Sequence, residues 1–240
     1  LMHVFDVALG EDEYEDPNAP QGDPERVILT ATEDPSTSQY VTWRSRSALP
    51  LEGIVEYRVE GEDDVRTVDA EQKPERVVDG YPARSHSARL SALEPDTTYE
   101  YRVSSGKAWS EWFSFETAAS DADPFTFLYF GDAQEGIGSV WHESVDRAVE
   151  AHPDAELALF AGDMVNTATV ESEWRDWFAG IEGLGERING LAVLGNHEIG
   201  GQPFIETFTD SYEYDANGPR PSDAGEYAAE YGEHLATILK

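Results

Sequence analysis

Three short turns in this chain gather residue types that bind divalent metals. They read Gly131-Asp132-Ala133-Gln134, Gly162-Asp163-Met164-Val165-Asn166 and Gly195-Asn196-His197-Glu198. Carboxylate and amide oxygens suit hard ions and imidazole suits borderline ones, so Asp132, Asp163, Asn196 and His197 together point to a metal site. The chemistry open to such a set is metal-assisted hydrolysis. Cleaving a phosphate ester needs charge neutralisation, a deprotonated water and in-line placement. Two metals about 3.5–4 Å apart, bridged by one carboxylate, supply all three. A single Gly-Asp turn is equally well explained as a strand-terminal cap; three in register, the last ending Gly-Asn-His-Glu, are not.

The elements that position these turns can be read from periodicity. Each turn follows a short apolar run, at 125–130, 157–161 and 191–194. Asp132 and Asp163 lie 31 residues apart, and Asp163 and Asn196 lie 33 apart, each about one strand–helix–strand unit. Right-handed crossovers then bring all three turns to the carboxyl edge of a parallel sheet, where open α/β folds hold ligands. The near-continuous apolar run at 125–130 predicts a strand covered on both faces. A helix is expected over 139–152, with Val140/Trp141, Ser144/Val145 and Ala148/Val149 on one face and Pro153 as the stop. A second carries Val170, Trp174, Trp177, Phe178 and Ile181, ended by Gly183 and Gly185. At that spacing Trp174 and Trp177 read as core, and His142 and His152 as surface or packing residues. His3 and His86 have no supporting constellation.

The N-terminal half follows a different period. Short β-like runs recur at 27–31, 40–44, 53–59, 65–68, 76–78, 87–90, 98–103 and 112–115, bounded by turn residues. The stretch Leu93-Glu94-Pro95-Asp96-Thr97-Thr98-Tyr99 resembles the tyrosine corner of fibronectin type III-like sandwiches, and Trp43 reads as a core aromatic. Residues 118–124 are small, polar and Pro-terminated, which marks a boundary. The expected organisation is an acidic arm over 1–24, a sandwich over 25–118 and an α/β unit over 124–240. After residue 200 an irregular loop is expected, with a short helix near 225–231. Tyr212, Tyr214, Tyr227 and Tyr231 read as its aromatic anchors, with a substrate mouth as the alternative.

Composition narrows the partners. The chain has 49 acidic against 16 basic residues, a formal charge of −33, and only three lysines. Its surface repels itself at low salt and is screened near 1 M, where the Debye length is about 3 Å. A salt-loving source and a merely acidic protein both remain open. No basic stripe exists, which argues against binding nucleic acid or an anionic membrane. The absence of cysteine removes disulfides, thiolate metal sites and a Cys nucleophile. No apolar stretch is long enough to span a membrane, and no signal peptide is visible.

The order and spacing of Gly131-Asp132, Gly162-Asp163 and Gly195-Asn196-His197-Glu198 resemble the first three motifs of the calcineurin-like metallophosphoesterases. With a fibronectin-like sandwich in front, the arrangement is similar to the purple acid phosphatases. The fold class implied is an all-β sandwich followed by an α/β metallophosphoesterase domain, the latter incomplete. The resemblance implies hydrolysis of small phosphomonoesters, with diesters open, through two divalent or mixed-valence metals of the Fe, Zn or Mn type and a metal-bound hydroxide. It implies Asp132 on the first metal, Asp163 bridging both, Asn196 on the second, and His197 at the leaving group, binding phosphate or supplying a proton. Glu198 would orient the loop. Extracellular or cell-surface placement is likewise implied.

Three departures from that pattern matter. Asn166 stands where purple acid phosphatases have the Tyr of the Fe(III) centre, which argues against an Fe(III)–tyrosinate pair. Gln134 stands where other members have a His ligand; it is either a ligand through its amide oxygen or a neighbour of one. The family's later histidine motifs have no match, since only His234 follows His197. A catalytically incomplete fragment or non-catalytic binding module is therefore the alternative function. An uncovered sheet edge would also invite self-association, so the oligomeric state stays open.

Overall fold

The computed structural model describes residues 23–46, 51–78, 80–106, 108–121, 124–199, 207 and 210–214. The arm over 1–22, the helix expected near 225–231, and His3, Tyr227, Tyr231 and His234 lie outside the described residues. Ten strands come first: β1 (Pro24–Thr30), β2 (Ser38–Arg46), β3 (Gly53–Val59), β4 (Arg66–Asp69), β5 (Glu71–Gln72), β6 (Arg76–Val78), β7 (Tyr81–Ser91), β8 (Thr98–Ser105), β9 (Ala108–Trp109) and β10 (Phe113–Glu116). Then follow β11 (Thr126–Phe130), α1 (His142–Ala151), β12 (Ala155–Phe160), α2 (Glu171–Gly180), β13 (Asn189–Ala192) and α3 (Asn196–Ile199). Among the described residues no helix is long and apolar enough to cross a membrane.

Alternation builds the sandwich. In β3 and β8, Val55, Tyr57, Tyr99, Tyr101 and Val103 are buried, and the register sets Val55 against Val103 and Tyr57 against Tyr101. On the opposite face, cross-strand charges pair directly. Arg58 donates to Glu100 at 2.7 Å and Arg102 to Glu56 at 2.8 Å, and Arg102 also lies over the Trp109 and Trp112 rings. The Tyr99 hydroxyl accepts the Glu94 N–H at 2.9 Å, which is the hydrogen bond of a tyrosine corner.

The main surprise is that the two halves share a sheet. The order is β11-β12-β13-β1-β2-β7-β5, with β6 also on β7, while β10-β8-β3-β4, with β9 on β8, forms the facing sheet. Strand β1 pairs with β13 in parallel through Leu29 and Asn189, and the Leu29 N–H donates to Gly185 O at 2.8 Å. Successive β1 residues enter different cores: Val27 and Leu29 join the sandwich core, and Ile28 joins the α/β core. The buried amide of Gln39 reinforces the junction, donating to Asn189 Oδ1 at 2.7 Å and to Thr30 O at 2.9 Å.

The α/β core is aromatic. Phe130, Trp141, Phe160 and Trp177 pack edge-to-face and stacked, and the Trp141 indole donates to Trp177 O at 3.0 Å. Gly180 makes this possible, because a Cβ there would sit 2.0 Å from Trp141 Cδ1. Trp174 and Trp177 are buried as expected, and His142 and His152 are exposed.

Two expectations are corrected. Phe127 and Tyr129 are 50% and 69% exposed and Phe125 is also exposed, so β11 is an edge strand covered on one face only among the described residues. Val140 is exposed rather than on the packed face, because a π-helical turn over Ile137–Trp141 precedes α1 and shifts the angular register. Strand β7 also runs well beyond 87–90. Its extension is paired with β2 through buried polar residues, among them Ser85 and His86, which carry no apolar signal.

His86 acquires a role the sequence did not show. It is fully buried, stacks on Trp43 at 5.1 Å and lies 2.9 Å from Ser45 Oγ through Nε2. Burial, and then the Arg84 charge, push its imidazole down to about 4. Above about pH 6.5 it is neutral folded and unfolded; between 6.5 and 4 the unfolded chain takes up a proton that the fold refuses. Stability therefore falls with acidification by about 1.4 kcal/mol per pH unit over that window. His86→Gln is expected to flatten this share of the acid destabilisation in urea melts between pH 7 and 4; an unchanged slope would show that His86 titrates normally.

Candidate metal centre

The parallel register aligns the three turns. Phe130 pairs with Phe160 and Phe160 with Ala192, so the chain leaves all three strands at one edge. Asp132 and Asp163 both adopt left-handed backbone, with φ of 52° and 49°. Non-glycine residues held there mark positions that the surroundings over-determine. The turns are laced together: the Asp132 N–H donates to Gly162 O at 3.3 Å and the Gln134 N–H to Asp163 O at 3.2 Å.

Two glycines allow the second and third turns to touch. A Cβ on Gly162, whose φ is +83°, would lie 2.6 Å from Gly195 N, and one on Gly195 would lie 2.1 Å from Asp163 Oδ1. At this contact sits Glu198, 1% exposed. Its Oε2 accepts the N–H groups of Asp163 at 2.9 Å and Gly195 at 2.7 Å, and its Oε1 accepts that of Val165 at 3.1 Å. Burial raises its carboxyl above the ordinary range although all three N–H groups pull the other way. Glu198 thus orients the loop, as the resemblance implied, and it clamps the Asp163 turn as well.

The remaining contacts orient the functional groups. Asp163 Oδ1 accepts the His197 N–H at 3.0 Å. His197 Nδ1 lies 2.7 Å from Asn166 O, and a carbonyl only accepts, so Nδ1 carries the proton there. This bond raises the imidazole above its ordinary value; burial opposes it next, and the charges of Asp163, Glu198 and Glu135 add to the rise. Asn166 contributes its backbone, not a tyrosine oxygen. Gln134 and Asn166 line a cleft of about 380 Å³ together with Glu135, Glu173 and Asp176.

The donor set suits a hard ion in part. Gln134 Oε1 is buried without a hydrogen-bond partner, an oxygen left for a ligand to satisfy. Asp132, Asp163 and Asn196 follow or begin their turns at the same edge. Among the described residues, however, no group of three or more His, Cys, Asp or Glu side chains is gathered closely enough to hold an ion.

Sequence reading missed how the edge is braced from behind. Tyr214 Oη accepts the Ala192 N–H at 2.7 Å and donates to Ala192 O at 2.9 Å, while Tyr212 is buried against Trp177. Both tyrosines are anchors: Tyr214 holds the end of β13 at Ala192, and Tyr212 packs between Trp177 and Gly190.

Sheet, paired glycines and Gly-Asn-His-Glu turn together define a sandwich joined to an α/β metal-edge domain, and comparison with known proteins identifies the class. Residues 24–117 match the purple acid phosphatase N-terminal domain and residues 125–238 match the calcineurin-like phosphoesterase domain. The Fe(3+)-Zn(2+) purple acid phosphatase 12 of Arabidopsis thaliana is 26% identical over 207 residues, covering 83% of this chain and 43% of that protein. Purple acid phosphatase 23 of the same plant is 28% identical over 152 residues, covering 51% and 32%. In fold, the chain is similar to purple acid phosphatase PPD1 from yellow lupin seeds, with a TM-score of 0.64 at 16% identity over 89% of this chain and 40% of that one. The chain thus carries a region that matches the purple acid phosphatase N-terminal domain directly in front of one that matches the calcineurin-like phosphoesterase domain. It spans less than half the length of these relatives.

Replacing the clamp tests the geometry. Glu198→Gln sets an NH₂ group against backbone N–H donors and is expected to cost about 1–3 kcal/mol in urea melts. Hydrogen exchange at the amides of Asp163, Val165 and Gly195 is expected to accelerate, and unchanged protection would remove Glu198 from this role.

Proposed function

We propose that this chain carries the metal-binding portion of a hydrolase acting on small phosphomonoesters. The observation that carries the reading is the clasped triple turn, where strained Asp132 and Asp163, the unpartnered Gln134 oxygen and Asn196 meet one sheet edge. Asp132 would ligate one ion, Asp163 would bridge two, Asn196 would ligate the second, and Gln134 would ligate or position. The Arabidopsis relative, an Fe(3+)-Zn(2+) purple acid phosphatase by name, supports a dinuclear pair. Asn166 favours ions that need no tyrosinate, such as Zn, Mn or Fe(II). Bound there, such a pair neutralises phosphate charge and acidifies a water.

The chain's own residues do the rest. Glu198 and the Gly162–Gly195 contact hold Asp163 and His197 in one rigid unit, so no reorganisation is needed when substrate arrives. With Nδ1 committed to Asn166 O, His197 has Nε2 to offer to a phosphate oxygen or a departing alkoxide. Its raised pKa keeps the imidazolium present at higher pH than in a free histidine. That acid role is complete below the ordinary value and is lost as pH rises through the raised one.

A second reading is favoured by the lack of a three-residue metal cluster among the described residues: a binding module without turnover. Metal content separates the two. Two Zn or Mn ions per chain by mass spectrometry, with turnover of para-nitrophenyl phosphate, support the hydrolase; neither leaves the module. Asp163→Ala is expected to abolish metal loading, and full stoichiometry in that variant would remove Asp163 as the bridge. His197→Asn is expected to keep the metals and lower kcat by about 10²–10⁴.

A further inference from the structure

The cleft of about 380 Å³ that begins at Gln134 and Asn166 has walls of one charge. One wall is the chain from Glu135 to Ser139, which enters the π-helical turn before α1, a feature frequent at functional sites. The other is the first half of α2, which contributes Glu173 and Asp176. Three positions apart, these two share a helix face, where like charges destabilise. The Glu173 carboxylate is fixed in place, accepting the Thr167 N–H at 2.7 Å. Asp176 reaches across to the opposite wall: a Cβ on Gly138 would lie 3.4 Å from its Oδ2. Glu135 adds a third carboxylate, near enough to His197 for its charge to act on that imidazole.

The rest of the lining narrows what the cleft can take. Among the described residues that line it none is cationic, and Ile137 is its one large apolar side chain, with no aromatic ring beside it. Flat or greasy groups therefore gain little there. The counter-charge within reach is Arg175, exposed and 3.7 Å from Asp176 Oδ1. The three carboxylates do not make a metal site either, since no such group among the described residues is gathered closely enough to hold an ion. An alkylammonium is larger, carries several N–H donors and is satisfied by acceptors that stand apart. Asn166 links this cleft to the metal edge: it lines the cleft, and its carbonyl holds His197 Nδ1 at 2.7 Å. A phosphate held at the turns, with His197 toward its leaving group, thus directs its alcohol part to these walls.

We propose that this cleft receives the alcohol part of the phosphomonoester and selects alcohols that carry an ammonium group; the proposal rests on the hydrolase reading. Two esters of similar size and different charge test it, 2-aminoethyl phosphate and 2-hydroxyethyl phosphate. Their binding to the zinc- or manganese-loaded full chain is measured by calorimetry, which needs no turnover. The aminoethyl ester is expected to bind about tenfold tighter at low salt, the scale of a few half-exposed ion pairs, and to lose that preference as salt approaches about 1 M. A chain of charge −33 favours any cationic ester in general, so variants must separate the cleft from the overall field. Glu135→Gln combined with Asp176→Asn is expected to remove most of the preference. Asp63→Asn combined with Asp64→Asn, both exposed and in the sandwich, is expected to leave it intact. Equal affinities, no binding of either ester to the loaded chain, or a preference that survives in the cleft variant would overturn the proposal alone. Loss of both metal loading and para-nitrophenyl phosphate turnover would overturn the hydrolase reading and the proposal together.

Discussion

Strand β1 serves two cores at once, and the rest of the structure depends on that sharing. Val27 and Leu29 enter the sandwich while Ile28 enters the α/β layer, and the same strand pairs antiparallel with β2 and parallel with β13. Gly185 admits the Ile28 side chain, since a Cβ there would lie 2.9 Å from Ile28 Cγ2. Tyr101 of the sandwich, fully buried, donates to Glu186 O at 2.8 Å. Backbone pairing of β1 with β13, the Gln39–Asn189 bond and the buried Arg26–Glu171–Arg44 pairs thus join the two parts through one sheet. Strand β13, whose carboxyl end carries the Gly-Asn-His-Glu turn, is held on one side by β12 and on the other by β1.

That arrangement explains how a short strand can support a strained site. Asp132 and Asp163 occupy backbone conformations unfavourable to non-glycine residues, and such strain persists only where neighbours enforce it. The enforcement comes from the Glu198 carboxylate, the Gly162–Gly195 contact and the Tyr214 hydroxyl on Ala192. The Glu198–Asp163 bond spans 35 residues of chain, and the Gly162–Gly195 contact likewise joins separate turns. The acid-rich surface works in the opposite sense, repelling both itself and any phosphate at low ionic strength.

Much of this was legible beforehand, for identifiable reasons. Alternation in β3 and β8 betrayed a two-sided strand, and the Pro95–Tyr99 corner marked where the sandwich turns. Apolar runs ending in Gly-Asp or Gly-Asn, at the spacing of strand–helix–strand units, located the edge where the three turns meet, and helical spacing placed Trp174 and Trp177 in the core. The bare face of β11 was not legible, because Phe127 and Tyr129 look the same whether covered or exposed. Neither was the full length of β7, whose buried Ser85 and His86 read as polar surface. The β1–β13 pairing rests on residues 160 positions apart, and no local pattern announces it.

By itself the sequence determined the element types, the two-part order and the three turns that end β11, β12 and β13 at one edge of the sheet. Those follow from local periodicity and from turn chemistry, which act within a few residues. Tertiary structure alone decided that the two parts share one sheet, that Glu198 clamps two turns instead of one, and that Arg26 is buried beside Arg44 on a shared Glu171 carboxylate. These depend on which surfaces come together, and burial and charge balance have no value until they do.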